Sequence, residues 1–242
     1  MLKFAIMQLL WDFKQGDSQG SKLYTYRYDE RLQLLAFSPE GQLVFHRIIN
    51  LAPDDYESKI AAELGCKTAV NAAYHSQYHL TPSAFSGTFH PAQGKPENCV
   101  HCNAEIDFCY SGALPLALAH YHIAAERCRF FPNYVLCHVH QGQVTVAAFQ
   151  AGQLLLLNTY PAGNEAEALY FSLAAVKKAG IEADKIRLEI MAEEHVAHIH
   201  LDLFGRFCHD TALCPLELPY ADDEFPPGAN ISALLYRLAR CV

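Results

Sequence analysis

No apolar run in this 242-residue sequence is long enough to cross a bilayer as a helix, which takes about 20 residues. The first ten residues, Met1 to Leu10, come nearest, with only Lys3 charged. They are too few to span, and no small-residue cleavage pattern precedes Trp11 and Asp12. They are expected to belong to an N-terminal arm, residues 1–21, that packs on the body or on a partner chain. Positive charge is also scarce: 18 Lys and Arg face 26 Asp and Glu, a net charge of -8. A nucleic-acid binder shows a basic face, so nucleic acid is not an expected partner. An anionic membrane surface is disfavoured on the same ground. The nine cysteines are odd in number and lack the close, even spacing of a secreted disulfide scaffold. They read as reduced thiols in a cytoplasm, many buried as small hydrophobes. Charged residues make up 18% and hydrophobic ones 51%. That excludes global disorder and predicts a sizeable core.

What is present is a pattern that occurs twice. Leu23 to Tyr28, Leu32 to Phe37 and Leu43 to Ile49 are β-rich runs, separated by Asp29-Glu30 and by Ser38-Pro39-Glu40-Gly41. Turn residues between such runs predict a meander. A helix is expected from near Pro53, with Asp54, Asp55 and Glu57 in its first turn and Gly65 at its end. A strand follows over Lys67 to Ala73. In the second half, Tyr134 to His140, Val144 to Phe149 and Leu154 to Tyr160 repeat the three strands, with turns at Gln141-Gly142 and Gln150-Ala151-Gly152. Asn164 caps a helix and Glu167 stands three residues later, as in a capping box. Leu169, Leu173 and Val176 keep one helical face apolar, Lys177 and Lys178 fill the last turn, and Gly180 ends it. Ile186 to Met191 is the next strand. The turns agree in wording as well: Ala36-Phe37 and Gly41-Gln42-Leu43 recur as Ala148-Phe149 and Gly152-Gln153-Leu154. The interval is domain-sized, so the pattern is a duplication and not a solenoid. A last helix fits Asn230 to Arg240, after Pro226-Pro227-Gly228.

The run Leu154 to Tyr160, with Asn158-Thr159-Tyr160, then Glu167 and Leu169-Tyr170-Phe171, resembles the signature of the bacterial domain-of-unknown-function family 3822. Tyr78 to Phe85 resembles that family's Thr-Leu-Val-Pro-x-x-Leu-Phe element, with the Thr and the aromatic displaced. Leu234 to Cys241 resembles its closing helix. The resemblance implies an actin-like ATPase fold of the ribonuclease H-like class. That is an α/β architecture of duplicated βββαβα halves with mixed sheets and a cleft between subdomains. Residues 22–127 and 128–242 are the expected subdomains. The resemblance implies no activity, and fold analogy does not supply one.

An actin-like phosphate site makes definite demands. Its hairpin turns need Gly for close backbone approach, and carboxylates to hold Mg²⁺, which takes hard oxygen ligands. The first hairpin, Tyr28-Asp29-Glu30-Arg31, has acids and no Gly. The second, His138 to Gln143, has Gly142 and no acid. The adenosine side would carry a Gly pair, where the sequence reads Met191-Ala192-Glu193-Glu194. All three elements are degraded. If ATP and Mg²⁺ bind at all, Asp29 is the expected metal-side acid and Gly142 the phosphate contact. A plain turn role accounts for Asp29 better.

Other constellations are weaker. Cys99 and Cys102 with His101 could form half of a zinc site, completed by Cys109, Cys208, His209 or Cys214 only if the fold gathers them. His195, His198 and His200 could share a face, and a solvated cluster is the simpler account. No local context supports a Cys-His nucleophile pair. Asp222-Asp223-Glu224 reads as a solvated loop. The expectation is a scaffold or adaptor with a degenerate nucleotide site that binds protein, a second copy of itself included. An ATPase or small-molecule kinase with an unconventional site is the alternative.

Overall fold

The computed structural model describes residues 7–66, 68–74, 78–82, 98–103, 105–220 and 226–241. They divide into two compact units. The first draws on Met1–Leu116, Leu218–Pro227 and Ser232–Val242, the second on Ala117–Glu217 and Gly228–Ile231.

In the first unit, β1 (Gln8–Lys14), β2 (Lys22–Tyr28), β3 (Arg31–Phe37) and β4 (Leu43–Asn50) precede α1 (Tyr56–Glu63) and β5 (Thr68–Ala73). After β6 (Tyr78–Pro82), β7 (Asn98–His101) and β8 (Ile106–Tyr110) comes the two-residue β9 (Leu114–Pro115). The main sheet runs β1-β4-β3-β2-β5-β9, and β6-β8-β7 form a separate three-stranded sheet. β2, β3 and β4 pair antiparallel, whereas β2–β5 and β5–β9 are parallel. A helix between β4 and β5 provides the crossover that a parallel pair requires. The core on one side of this sheet joins Leu23, Leu32, Leu34 and Val44 to Ile60 of α1 and to Leu64, which caps that helix. The expected N-terminal arm is thus partly strand: β1 lies antiparallel on β4, with Asp12 opposite Arg47.

The second unit contains α2 (Ala117–Arg127), β10 (Asn133–His140), β11 (Gln143–Gln150), β12 (Gln153–Pro161), α3 (Glu165–Lys178), β13 (Arg187–Met191), α4 (Glu194–Phe204) and β14 (Asp210–Leu213). Its sheet runs β12-β11-β10-β13-β14. This is the order of β4-β3-β2-β5-β9, with the same antiparallel and parallel pairs. The duplication reaches single residues. Tyr28 pairs with Arg31 as His140 pairs with Gln143. Val44 and Leu155 are the extra residues of matching bulges, opposite Ala36/Phe37 and Ala148/Phe149. Asn164 Oδ1 accepts from Glu167 N at 2.9 Å, and Glu167 Oε2 accepts from Gly163 N at 2.8 Å. The capping box expected at α3 is therefore present, with the glutamate reaching one residue further back.

Two helices depart from the sequence-based boundaries at 127/128. α2 follows the first sheet in the chain, yet it belongs to the second unit, where Tyr121 packs on Phe149 of β11 with ring centroids 5.6 Å apart. α5 (Ala229–Cys241) follows the second sheet. From Ser232 onward it belongs to the first unit, where Tyr236 packs on Phe37 at 5.7 Å. An apolar helix face encodes that it will be buried, and not which sheet will bury it.

Candidate hairpin sites and polar clusters

The β2–β3 and β10–β11 hairpins, one in each unit, are where a phosphate site is expected. In β-strands, residues two apart share a face. On β2, Tyr26 and Tyr28 therefore lie side by side next to the turn, with their rings stacked at 5.2 Å. On β10, His138 and His140 occupy the corresponding register positions and stack at 5.5 Å. Both hairpins thus carry a buried pair of stacked rings behind the turn. Gln33 Nε2 donates to Tyr28 Oη at 3.2 Å. Burial, with smaller contributions from Tyr74, Tyr28 and Asp29, raises the Tyr26 pKa and keeps its phenol protonated.

In the second unit His138 is fully buried. Its Nδ1 lies 2.8 Å from Nε2 of His120 on α2, and its Nε2 lies 3.1 Å from Asn230 Nδ2. Burial first, then His120 and His140, push its pKa well below the ordinary histidine value, so it is neutral at pH 7. If the asparagine amide donates, Nε2 of His138 accepts and its Nδ1 carries the proton to His120. Nδ1 of His140 lies 3.8 Å from Oε1 of Glu193. Glu193 precedes α4 as its N-cap residue without a side-chain cap bond, in the segment where the adenosine-side glycines were expected.

The turns differ in backbone: of the two central residues, only Asp29 has a positive φ in the first turn, and both do in the second. Asp29, exposed, sits at φ 48°. Gln141 and Gly142 sit at φ 50° and 68°, the two positive values that a type I′ hairpin turn requires. An ideal Cβ on Gly142 would meet only the Ala162 carbonyl, at 4.0 Å. Its left-handed backbone accounts for this glycine, not crowding. In both hairpins the second turn carbonyl is pinned from beyond the third strand. Leu51 N donates to Glu30 O at 2.7 Å, and Ala162 N donates to Gly142 O at 2.7 Å.

A second polar cluster lies within the first unit. Ser232 Oγ donates to Gln33 Oε1 at 3.0 Å and lies 3.4 Å from His46 Nε2, while His46 Nδ1 lies 2.5 Å from Tyr220 Oη. Ser232 and His46 are fully buried, so this is a core network without access for a substrate. Burial alone holds the His46 pKa down to about 3. In the second unit, the buried Glu189 carboxylate accepts from Tyr134 Oη at 2.9 Å and from Arg187 at 3.2 Å, and is paired with Arg127.

The cysteine expectations are revised. Cys99 and Cys109 are cross-strand partners on β7 and β8 and are joined as a disulfide. Thiols reduced throughout is therefore not what the structure shows, and Cys99 does not stand with Cys102 as half of a zinc site. Cys102, Cys137 and Cys214 have their thiols pushed up to about 12, in each case chiefly by burial. That removes the thiolate a nucleophile needs. His195 and His198 are exposed on α4, whereas His200 is buried on it. Among the described residues, no group of three or more His, Cys, Asp or Glu could hold a metal ion. Asp222-Asp223-Glu224 and Ser83 to Phe85 lie outside the described residues. The paired rings were missed from sequence, although their signal was there: aromatic residues two apart immediately before each turn.

Residues 121–208 match the model of the family described as "Protein of unknown function (DUF3822)", and the resemblance read from the sequence holds over that span. No curated protein matches the sequence. A protein from Bacteroides thetaiotaomicron VPI-5482, described as having an actin-like ATPase fold and unknown function, is similar over 90% of this chain and 96% of its own. The TM-score is 0.62 at 12% identity. The PilM-PilN type IV pilus biogenesis complex contains a chain similar over 90% of this chain and 98% of its own, with TM-score 0.48 and 9% identity. The ethanolamine utilization protein EutJ from Carboxydothermus hydrogenoformans covers 92% and 90%, with TM-score 0.42 and 11% identity. The first likeness shows the fold alone: this chain has the actin-like ATPase fold. Among the described residues, no helix is long and apolar enough to cross a membrane.

Proposed function

We propose, from an actin-like fold whose first hairpin turn has acids without glycine and whose second has glycine without acids, that this protein works by binding other proteins, as a scaffold or adaptor without phosphoryl transfer. One observation carries the reading. The inner positions behind both turns are stacked rings, Tyr26/Tyr28 and His138/His140. Mg²⁺ takes hard oxygen ligands in octahedral array. A buried tyrosine kept protonated and a buried neutral histidine supply none, so these side chains do not fit a Mg²⁺-nucleotide. Phosphoryl transfer rests on positioning and charge neutralisation, and both depend on that metal.

The alternative is an ATPase or small-molecule kinase with an unconventional site. It is favoured by the exposed Asp29 at the first turn and by Gly142 at the second. Thermal melting with and without millimolar Mg-ATP separates the two. Micromolar affinity would stabilise the protein by about 4 kcal/mol at a thousandfold excess over Kd. No shift is expected. A shift of several degrees that Asp29→Ala abolishes, together with phosphate release, would establish the alternative and remove the scaffold reading.

A further inference from the structure

β4 and β12 are the same strand of the duplicated sheet, and they differ in one respect. The outer edge of β4 carries β1, paired from Gln8↔Asn50 to Lys14↔Phe45 and extended by Gln15 N donating to Val44 O at 2.9 Å. β12 ends its sheet, and among the described residues no strand pairs with its outer edge. The two strands also differ in exposure. Val44, the bulge residue of β4, is 6% exposed, and Leu155, the bulge residue of β12, is 39% exposed. β4 is buried along most of its length, whereas β12 alternates between exposed and half-buried. Beside this edge Tyr160 stacks on Phe171 at 5.4 Å, and Phe171 meets the exposed ring of Tyr170 at 5.3 Å.

Proteins protect a free edge with charge, proline or a covering element. β12 reads Gln-Leu-Leu-Leu-Leu-Asn-Thr-Tyr-Pro from Gln153 to Pro161, without a single charge, and its proline falls only at the end. We infer that the β12 edge is a strand-addition interface and that its occupant is β12 of a second copy, running antiparallel across a two-fold axis. The choice of occupant rests on charge. β1 brings Asp12, which on β4 meets Arg47 in two parallel contacts of 2.9 Å. The residue of β12 that corresponds to Arg47 is Asn158, so a second copy's β1 would leave its aspartate without a cation. Two β12 strands place no charge opposite another, and antiparallel self-pairing is self-complementary, as a two-fold interface must be. Leu155 and its flanking residues then lose water. The interface is independent of whether either hairpin binds nucleotide.

The test uses the full chain. Sedimentation velocity over roughly 1–100 µM should show a concentration-dependent monomer–dimer equilibrium. Hydrogen exchange should slow at β12 amides as concentration rises, with β1 unchanged. Leu155→Lys and Asn158→Lys each put a charge on the edge strand of both copies, as natural edges do to block pairing, and should raise the dimer dissociation constant roughly tenfold. A monomer throughout the range overturns the proposal. So does a dimer whose β12 exchange is independent of concentration, or one protected at β1 instead. If a lysine variant fails to fold by circular dichroism, the exchange of the unaltered protein decides alone. Nucleotide-free scaffold behaviour would stand even if the protein proved monomeric, so the two readings fail separately.

Discussion

The two hairpins share a register and a pinned turn carbonyl, and they differ in what stands behind the turn. Tyr26 and Tyr28 fill the first unit's position, His138 and His140 the second's. The neighbouring parallel strands diverge more sharply. Val70 lies opposite Tyr24 on β5, whereas the same register position on β13, opposite Leu136, holds the fully buried Glu189. One unit has a half-buried valine at this point, the other a carboxylate enclosed by Arg127, Arg187 and Tyr134. A backbone plan can therefore persist while its buried chemistry is replaced, provided each new polar group finds a partner.

The comparison is broken most forcefully at Glu189. Glu189→Ala leaves two arginines without their shared partner and should cost about 3–5 kcal/mol in urea-induced unfolding. Val70→Ala at the matching position should cost clearly less. A small effect of Glu189→Ala would show that the network adds little to the second unit.

Acid sharpens the comparison next. His46 in the first unit and His138 in the second are neutral when folded, with pKa values depressed by burial. The unfolded chain binds these protons near pH 6.5 and the folded chain does not. Stability is thus retained above that pH and falls below it, by about 1.4 kcal/mol per pH unit for each histidine. For His46 the decline continues down to about pH 3. Stability measured from pH 7 to pH 5 should fall more gently in His138→Gln and in His46→Gln than in the parent. Parallel curves would show that these rings are not the acid-sensitive groups.

Helix caps give a smaller contrast. Asn164→Ala removes the bond to Glu167 N and should cost about 1 kcal/mol. The equivalent helix α1 has Asp55 at its N-cap without a side-chain cap bond, so Asp55→Ala should remove no capping energy. Smallest is Asp12→Ala. The Asp12–Arg47 pair is two-pronged but partly solvated, and its loss should cost at most about 1 kcal/mol. Equal melting temperatures for the parent and Asp12→Ala would show that β1 is held by its backbone ladder alone.

Much of the fold was legible without coordinates because its signals are local. β-rich runs, short turns, the Asn164 cap and the turn glycines each depend on a few neighbouring residues, and they placed β2 to β5, α1, β10 to β13, α3 and α5. The three-stranded sheet over Tyr78 to Tyr110 was not foreseen, because short strands of mixed polarity lack a clear period. The site was legible only as a deficit: acids without glycine at one turn, glycine without acids at the other. That His138 meets His120 and Asn230, far apart in sequence, could not be read from spacing.

Two βββαβ units with their turns and helix caps could be read from the residues alone, because turn chemistry and β-rich runs are properties of a few consecutive residues. Long-range packing chose the rest: α2 lies on the second sheet and α5 on the first, β1 covers one edge strand, and Cys99 bonds to Cys109. Those pairings are chosen by burial and hydrogen bonding between segments distant in the chain, and an apolar face or an open edge carries no address for its partner.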